Sequence, residues 1–241
     1  MERIPESKYV DNESFSNLFK YARNSYKYLW AYGILKEVSK SKRIIEFETI
    51  VKRIFSKSWR PILQFNLSFG KMDKIKESIK KIQSKYEIPT NIENDRQIFN
   101  ILEDINDDYI SDVINSYYSS LPYTFLSPFY GEVKGMKTYN KIKKIIELSN
   151  SKEKGIYSIN DDNKKIKVRK KWYKYLNNNQ FKIEQWIIEN FKNYLKSKNS
   201  NKTEEIDKLY KNQDKTLKYM NRSLFEILKS VFKKLWKLIF D

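Results

Sequence analysis

Apolar residues in the first part of the chain recur at steps of three and four positions. Between Ser14 and Ser39 this spacing places the following residues on one helix face: Phe15, Leu18, Phe19, Ala22, Tyr26, Leu29, Trp30, Gly33, Ile34 and Val38. Such a face predicts a single long helix, capped at its start by Ser14 or Ser16. A second helix is predicted over Glu46–Ser58 and is expected to stop before Pro61, since proline cannot continue a helix interior.

The rest of the chain combines further helices with a few short extended segments. Helical spacing recurs over residues 71–86, over 95–118 as two pieces broken near residue 106, over 138–148 and over 180–195. Ile156–Ile159 and Ile166–Val168 flank a polar run and predict a small β-hairpin, and Tyr123–Leu126 predicts another extended segment between two prolines. We therefore predict a mostly α fold, an α-dominated α+β class in which a multi-helix domain carries short strands in its middle.

A polar segment divides the sequence into two parts. Residues 197–202 are rich in Asn and Lys and predict a linker between a helical domain, 1–196, and a C-terminal helical segment, 203–241. Ser223–Phe240 predicts an amphipathic helix with a broad apolar stripe. Three roles fit it: docking on the domain, contact with a partner protein, or contact with an anionic membrane surface. Its predicted interface residues are Leu228, Phe232, Leu235, Trp236 and Ile239.

Composition narrows the range of functions. The 241 residues contain 48 Lys and Arg against 30 Asp and Glu, so the net charge is +18 and favours polyanions, nucleic acid first and an anionic membrane second. An A+T-rich genome, which enriches lysine, is the alternative explanation. The absence of His and Cys excludes histidine-dependent chemistry, disulfides and thiol catalysis. A polar start and the lack of a long apolar run predict a cytoplasmic protein, and we predict no cofactor and no metal.

The densest group of cations extends from Lys164 to Lys174, with seven cations and no acid. Its predicted nucleic-acid contacts are Lys164, Lys165, Lys167, Arg169, Lys170, Lys171 and Lys174. Trp172 is a candidate for stacking on an unpaired base; the alternative is a solvated hairpin with Trp172 in the core. Arg53, Lys57 and Arg60 lie one helical turn apart and form a second candidate surface for nucleic acid. The alternative is a solvated helix face in which Arg60 packs against the core.

Several segments resemble a known family and occur in the family's order. They are Tyr26–Leu35 (YKYLWAYGIL), Trp59–Asp73 (WRPILQFNLSFGKMD), Leu121–Phe129 (LPYTFLSPF) and Lys171–Leu176 (KWYKYL) followed by Trp186, Asn190, Tyr194 and Leu195. Together they resemble the helical region that precedes the nuclease motif in bacterial HNH endonuclease-domain proteins. The resemblance spans residues 9–199 and implies a place in a nuclease-type system. The HNH module needs histidine, which residues 197–241 lack, so no catalytic residue is carried over.

These observations predict a non-catalytic nucleic-acid-binding protein, or a subunit of a restriction or anti-phage defence system. Its expected ligand is DNA or RNA, and a protein partner is expected to carry the catalytic activity. The alternatives are an interaction subunit that recruits an effector through the C-terminal helix, and a membrane-surface-binding effector. A weaker enzymatic hypothesis rests on Glu132-Val133-Lys134 with Asp112, which resembles the acid and lysine set of metal-dependent nucleases.

Overall fold

The computed structural model describes residues 3–20, 22, 24–71 and 73–211. The predicted C-terminal helix, Ser223–Phe240, and its interface residues Leu228, Phe232, Leu235, Trp236 and Ile239 lie outside the described residues. The prediction of a mostly α fold with short strands is confirmed, because helices dominate the described chain and join one small antiparallel sheet.

The helices and strands follow one another in this order. The helices are α1 (Asn12–Ser16), α2 (Tyr26–Val38), α3 (Phe47–Leu63), α4 (Ile75–Lys85), α5 (Asp95–Asp104), α6 (Asp108–Asn115), α7 (Leu121–Thr124), α8 (Thr138–Ser151), α9 (Lys170–Asn178) and α10 (Gln180–Lys198). Residues 203–211 form a last described helix, α11. Short 3-10 turns cover Asn17–Phe19, Ser127–Phe129, Gly131–Val133 and Ser200–Lys202. The strands are β1 (Ile44–Glu46), β2 (Tyr157–Asn160) and β3 (Lys165–Val168).

The prediction of one long helix from Ser14 to Ser39 is wrong. The chain forms the short α1 and a 3-10 turn, and α2 begins only at Tyr26. Both the backbone N–H and the hydroxyl of buried Ser25 donate to the carboxylate of Asp73. Asp73 lies 48 positions from Ser25 along the chain. A tertiary contact therefore fixes the start of α2, and the apolar spacing between Ser14 and Ser39 gives no sign of the interruption.

Helix α3 also departs from its predicted end, because it continues through Pro61 to Leu63. Proline in a helix removes one backbone hydrogen bond, and Pro61 lies close enough to the end that little of the helix depends on it. Trp59 and Ile62 on either side are fully buried. This helix is the centre of the molecule, in contact with α2, α4, α5 and α6.

The segment Tyr123–Leu126, predicted to be extended, is helical in its first part. Tyr123 belongs to α7, where Pro122 occupies the first turn. Proline is favoured there, because the N–H that it lacks has no partner inside the helix. The indole N–H of Trp30 in α2 donates to the hydroxyl of Tyr157 (3.1 Å), which donates to the carbonyl of Pro122 (2.6 Å), so this buried chain joins α2, β2 and α7.

The predicted β-hairpin is confirmed as β2 and β3, and the structure adds β1, which the sequence analysis missed. The sheet order is β1-β3-β2, and Lys167 pairs with Ile44 on one side and with Ser158 on the other. Strand alternation turns Ile45 and Ile166 into the core. Lys167 and Ile44 therefore lie on the outer face, where Ile44 is 60% exposed.

Residues 197–202, predicted to be a linker, are packed onto the domain. The amide of buried Asn199 accepts a hydrogen bond from the N–H of Ser68 (2.7 Å) and donates to its carbonyl (2.8 Å). Helix α11 then buries Ile206 and Leu209. Lys202 adds a hydrogen bond from its ammonium to the carbonyl of Phe65 (2.8 Å), and the packed domain therefore extends beyond residue 196.

Candidate nucleic-acid interface

A solvent-open cleft of about 580 Å³ lies where the sheet, the start of α9 and the N-terminal segment meet. It is lined by Tyr9, Val10, Asp11, Arg43, Glu153, Lys154, Ser158, Lys167, Arg169, Lys170, Lys171 and Trp172. Cations outnumber acids among these residues, so the cleft presents a positive surface to solvent. We call it the cationic cleft.

Strand β3 and helix α9 deliver the lysines of the cationic cleft. Lys167 points outward by strand alternation, between the buried Ile166 and Val168. Lys170 and Lys171 form the first turn of α9, which contains no acidic residue, and both are exposed. Within the described chain none of these three lysines forms an ion pair with a carboxylate. The positive end of the helix dipole adds to their charge at this point.

Two arginines stabilise the walls of the cationic cleft. The guanidinium of Arg43 donates from Nε and Nη2 to the carbonyl of Val168 (3.3 and 3.2 Å). Arg169 Nη2 donates to the carbonyls of Ser149 and Lys152, both at 2.6 Å. These contacts fix the ends of β1, β3 and α8 around the opening, so the arginines position the cleft as well as adding charge.

The other predicted contacts of the basic run lie outside the cationic cleft. Lys164 pairs with Asp161 (3.2 Å) and Lys165 with Glu46 (3.0 Å) beside the hairpin turn. Lys174 is exposed on α9 and does not line the cleft. The structure thus brings together Lys167, Arg169, Lys170 and Lys171 from the predicted set and separates the other cations from them.

The prediction that Trp172 stacks on a base is wrong, because its side chain is only 2% exposed. Its ring contacts Phe15 and Phe129 edge-to-face, at centroid distances of 5.2 and 5.7 Å. The alternative of a core tryptophan is confirmed. Helical periodicity of α9 carries the signal for this burial, since Trp172, Tyr175 and Leu176 share one face.

Tyr9 is the accessible aromatic residue of the cationic cleft, and the sequence analysis missed it. Its side chain is 66% exposed at the cleft edge, with the ammonium of Lys8 5.4 Å from its ring centroid. The segment that carries it is anchored, because the carbonyl of Pro5 accepts from Tyr175 Oη (2.6 Å) and from Asn12 Nδ2 (3.2 Å). The sequence signal for its exposure was that Tyr9 is an aromatic residue outside any periodic apolar pattern.

Arg53 and Lys57 do not form a nucleic-acid surface, contrary to the prediction. They are 6% and 5% exposed. Arg53 donates from Nε and Nη2 to Glu37 (2.8 and 2.7 Å), and Lys57 lies 3.5 Å from Asp95. Their spacing does place them on one helix face, but α5 and α2 cover that face with acidic partners.

The pKa values of Glu37 and Lys57 show how burial and their ion-pair partners affect each charge. Burial raises the pKa of Glu37, and the hydrogen bonds and charge of Arg53 outweigh burial, so the pKa lies below its usual value. Burial lowers the pKa of Lys57, and Asp95 opposes this effect only in part. Arg60, the third member of the predicted surface, is partly exposed and pairs with Glu93 at 3.5 Å.

The acidic residues that the structure describes form no cluster that supports a metal-dependent nuclease. Among the described residues, no group of three or more acidic side chains is arranged to hold a metal ion. Glu132 of the Glu-Val-Lys triplet pairs with Lys152 at 2.5 Å, and that hydrogen bond lowers its pKa. The described helices also include none that is long and apolar enough to span a membrane.

Comparisons of this chain with protein-family models, with curated proteins and with solved structures found no match. The class that the fold and the cleft define is therefore a structural one: a mostly helical domain whose small sheet carries a cationic cleft. The resemblance to the HNH endonuclease-domain region stays a prediction from sequence motifs alone.

Proposed function

We propose that the protein binds single-stranded nucleic acid in the cationic cleft. The observation that carries the proposal is the convergence of Lys167, Lys170 and Lys171 on an open cleft where no described carboxylate forms an ion pair with them. Phosphate groups of a nucleic-acid backbone supply the missing negative charge, and binding releases the counterions condensed on the strand. A net charge of +18 attracts any polyanion to the molecule, and the cleft provides a place of contact.

Tyr9 supports a single strand as the ligand. Every base has an aromatic face, but only an unpaired base exposes that face to a side chain. Tyr9 is exposed beside the cations that would hold the adjacent phosphates. A duplex would satisfy the lysines and leave the ring without a stacking partner.

The place of this binding in a larger system is a further part of the proposal. The motif resemblance supports a nuclease-type restriction or defence system in which another chain carries catalysis. The absence of histidine from the chain is consistent with that division. Co-purification followed by mass measurement tests it: a chain that stays monomeric, with no nuclease bound, contradicts this part while leaving nucleic-acid binding intact.

A charge-matched pair of triple variants tests the cationic cleft. Replacement of Lys167, Lys170 and Lys171 by Gln should weaken binding of a single-stranded oligonucleotide at least tenfold. The slope of log K against log salt should fall by about 0.7 for each lost phosphate contact. The control replaces three exposed lysines of α4, Lys80, Lys81 and Lys85, by Gln.

Fluorescence anisotropy across a salt series measures both quantities. The control variant has the same net charge as the cleft variant, so an effect of total charge alone would weaken both equally. Equal affinity and slope in the two variants would contradict the proposal. A wild-type affinity that does not respond to salt would contradict it as well, because phosphate contacts require counterion release.

A further inference from the structure

A second positive cleft, of about 460 Å³, lies on residues that the cationic cleft does not use. It is lined by Asn17, Lys20, Lys27, Ser127, Pro128, Tyr130, Gly131, Val133, Lys134, Gly135 and Lys141. Four lysines and no acidic residue are among them. We call it the lysine cleft.

The lysines of the lysine cleft come from separate parts of the chain. Lys20 follows the 3-10 turn after α1, Lys27 lies in the first turn of α2, and Lys141 lies in α8. Lys134 precedes Gly135, whose φ of +79° is a left-handed conformation that glycine adopts without strain. The fold itself, and not a local run of basic residues, therefore brings these charges together.

The environment of Lys27 in the lysine cleft disfavours its charged form. Its side chain is partly buried, and within the described chain no carboxylate pairs with Lys27, Lys134 or Lys141. Burial lowers the pKa of Lys27, and the nearby charge of Lys141 lowers it further. Desolvation and like-charge repulsion both disfavour the ammonium form here, whereas the buried cations Arg53 and Lys57 have acidic partners.

We propose that the lysine cleft binds a phosphate-rich anion, with a diphosphate or triphosphate group as the ligand chemistry. A bound anion of this kind offsets the repulsion among the lysines and replaces the water that Lys27 lost on burial. The cleft volume falls within the range of roughly 300–1,000 Å³ that is usual for small-molecule sites. Such a group occurs in free nucleotides and inorganic polyphosphates, and the backbone of a bound nucleic acid offers similar phosphates.

Calorimetric titration of the full-length protein with inorganic tripolyphosphate tests the proposal. We expect saturable binding to the wild type and at least tenfold weaker binding to Lys27→Met, which keeps the length of the side chain and removes its charge. Lys143→Gln is the matched control, because Lys143 is exposed on the same helix as Lys141 and does not line the cleft. Lys141→Gln provides the same test should Lys27→Met fail to fold.

Thermal unfolding supplies a second readout. Tripolyphosphate should raise the Tm of the wild type and of Lys143→Gln, and should leave the Tm of Lys27→Met unchanged. Without ligand, Lys27→Met should be at least as stable as the wild type, because it removes a desolvated charge. The proposal would be overturned if tripolyphosphate showed no saturable binding to the wild type, or bound equally to the wild type and to Lys27→Met, and if the affinity for the oligonucleotide was also the same in both proteins.

Competition with an oligonucleotide identifies the source of the phosphates. A free phosphate compound is the ligand if tripolyphosphate binds without displacing the strand. The backbone is the ligand if Lys27→Met weakens the strand and Lys143→Gln does not. The triple Gln variant of the cationic cleft should retain tripolyphosphate binding in either case, so failure of one cleft is distinguishable from failure of the other.

Discussion

Tyr9 is the single residue on which the preference for an unpaired strand depends. Tyr9→Ala should lower the affinity for a single-stranded oligonucleotide by about 5- to 150-fold, since stacking of one base contributes about 1–3 kcal/mol. Tyr9→Phe keeps the ring and should bind like the wild type. Anisotropy with matched single-stranded and duplex ligands measures the effect. A loss that is equal on both ligands would show that Tyr9 does not contact a base.

The stability of the fold depends on pH through the carboxyl group of Asp73. Burial raises its pKa to about 6, against hydrogen bonds from Ser25 and from the N–H of Ile75 that lower it. The folded state therefore holds a proton that the unfolded chain releases near its ordinary pKa of 3.8. The stability contributed by this group is complete below that value and is lost as the pH rises through about 6.

Asp73→Asn isolates this contribution. The free energy of unfolding of the wild type should fall relative to the variant between pH 4 and pH 6, by up to roughly 3 kcal/mol for a shift of this size. Above about pH 7, where Asp73 is ionised in both states, the difference should become constant. Urea denaturation at several pH values measures it, and a difference that does not change with pH would contradict the assignment.

At the scale of elements, the contact of α2 with α3 depends on Gly33. A Cβ added there would lie 2.8 Å from Ile50 Cγ2 and 3.3 Å from the carbonyl oxygen of Ile50. Gly33→Ala gains helix propensity of about 1 kcal/mol, while overpacking costs about 1–3 kcal/mol. We expect a net loss of about 1 kcal/mol, measured by chemical denaturation. Gly131→Ala, where an added Cβ meets nothing within 4 Å, is the control and should be neutral.

The sequence predicted elements well where their causes are local. Apolar spacing identified α4, α5, α6, α8 and α10, and turn residues identified the β2–β3 hairpin. The break before α2 and the missed strand β1 have distant causes. Asp73 acts on the start of α2 across 48 positions, and β1 forms only because β3 lies beside it.

The same distinction applies to the candidate site. Lys167, Lys170 and Lys171 were predictable, because strand alternation and the first turn of a helix determine their exposure. The burial of Arg53 and Lys57 was not predictable, since periodicity places them on a shared helix face without indicating that acidic side chains cover that face. The lysine cleft has no sequence signal, because its four cations come from distant segments.

At the scale of the whole molecule, positive charge has two different environments. Arg53 and Lys57 are buried against acidic partners, where they contribute to the packing of α3. Both clefts also contain lysines for which the described residues supply no acidic partner: Lys167, Lys170 and Lys171 in the cationic cleft, and Lys27, Lys134 and Lys141 in the lysine cleft. Binding of polyanions should therefore respond to salt, while the buried pairs, being shielded from mobile ions, should respond far less.

The connections described above also constrain the order in which the molecule can fold. Trp30 bonds to Tyr157 and Ser68 to Asn199, so early and late segments pair across 127 and 131 positions. Contacts of such long range slow folding, because the intervening chain must be ordered before they form. During synthesis, residues 44–46 emerge long before β3, the strand with which they pair. The nascent chain therefore acquires its sheet only after residues 157–168 have left the ribosome.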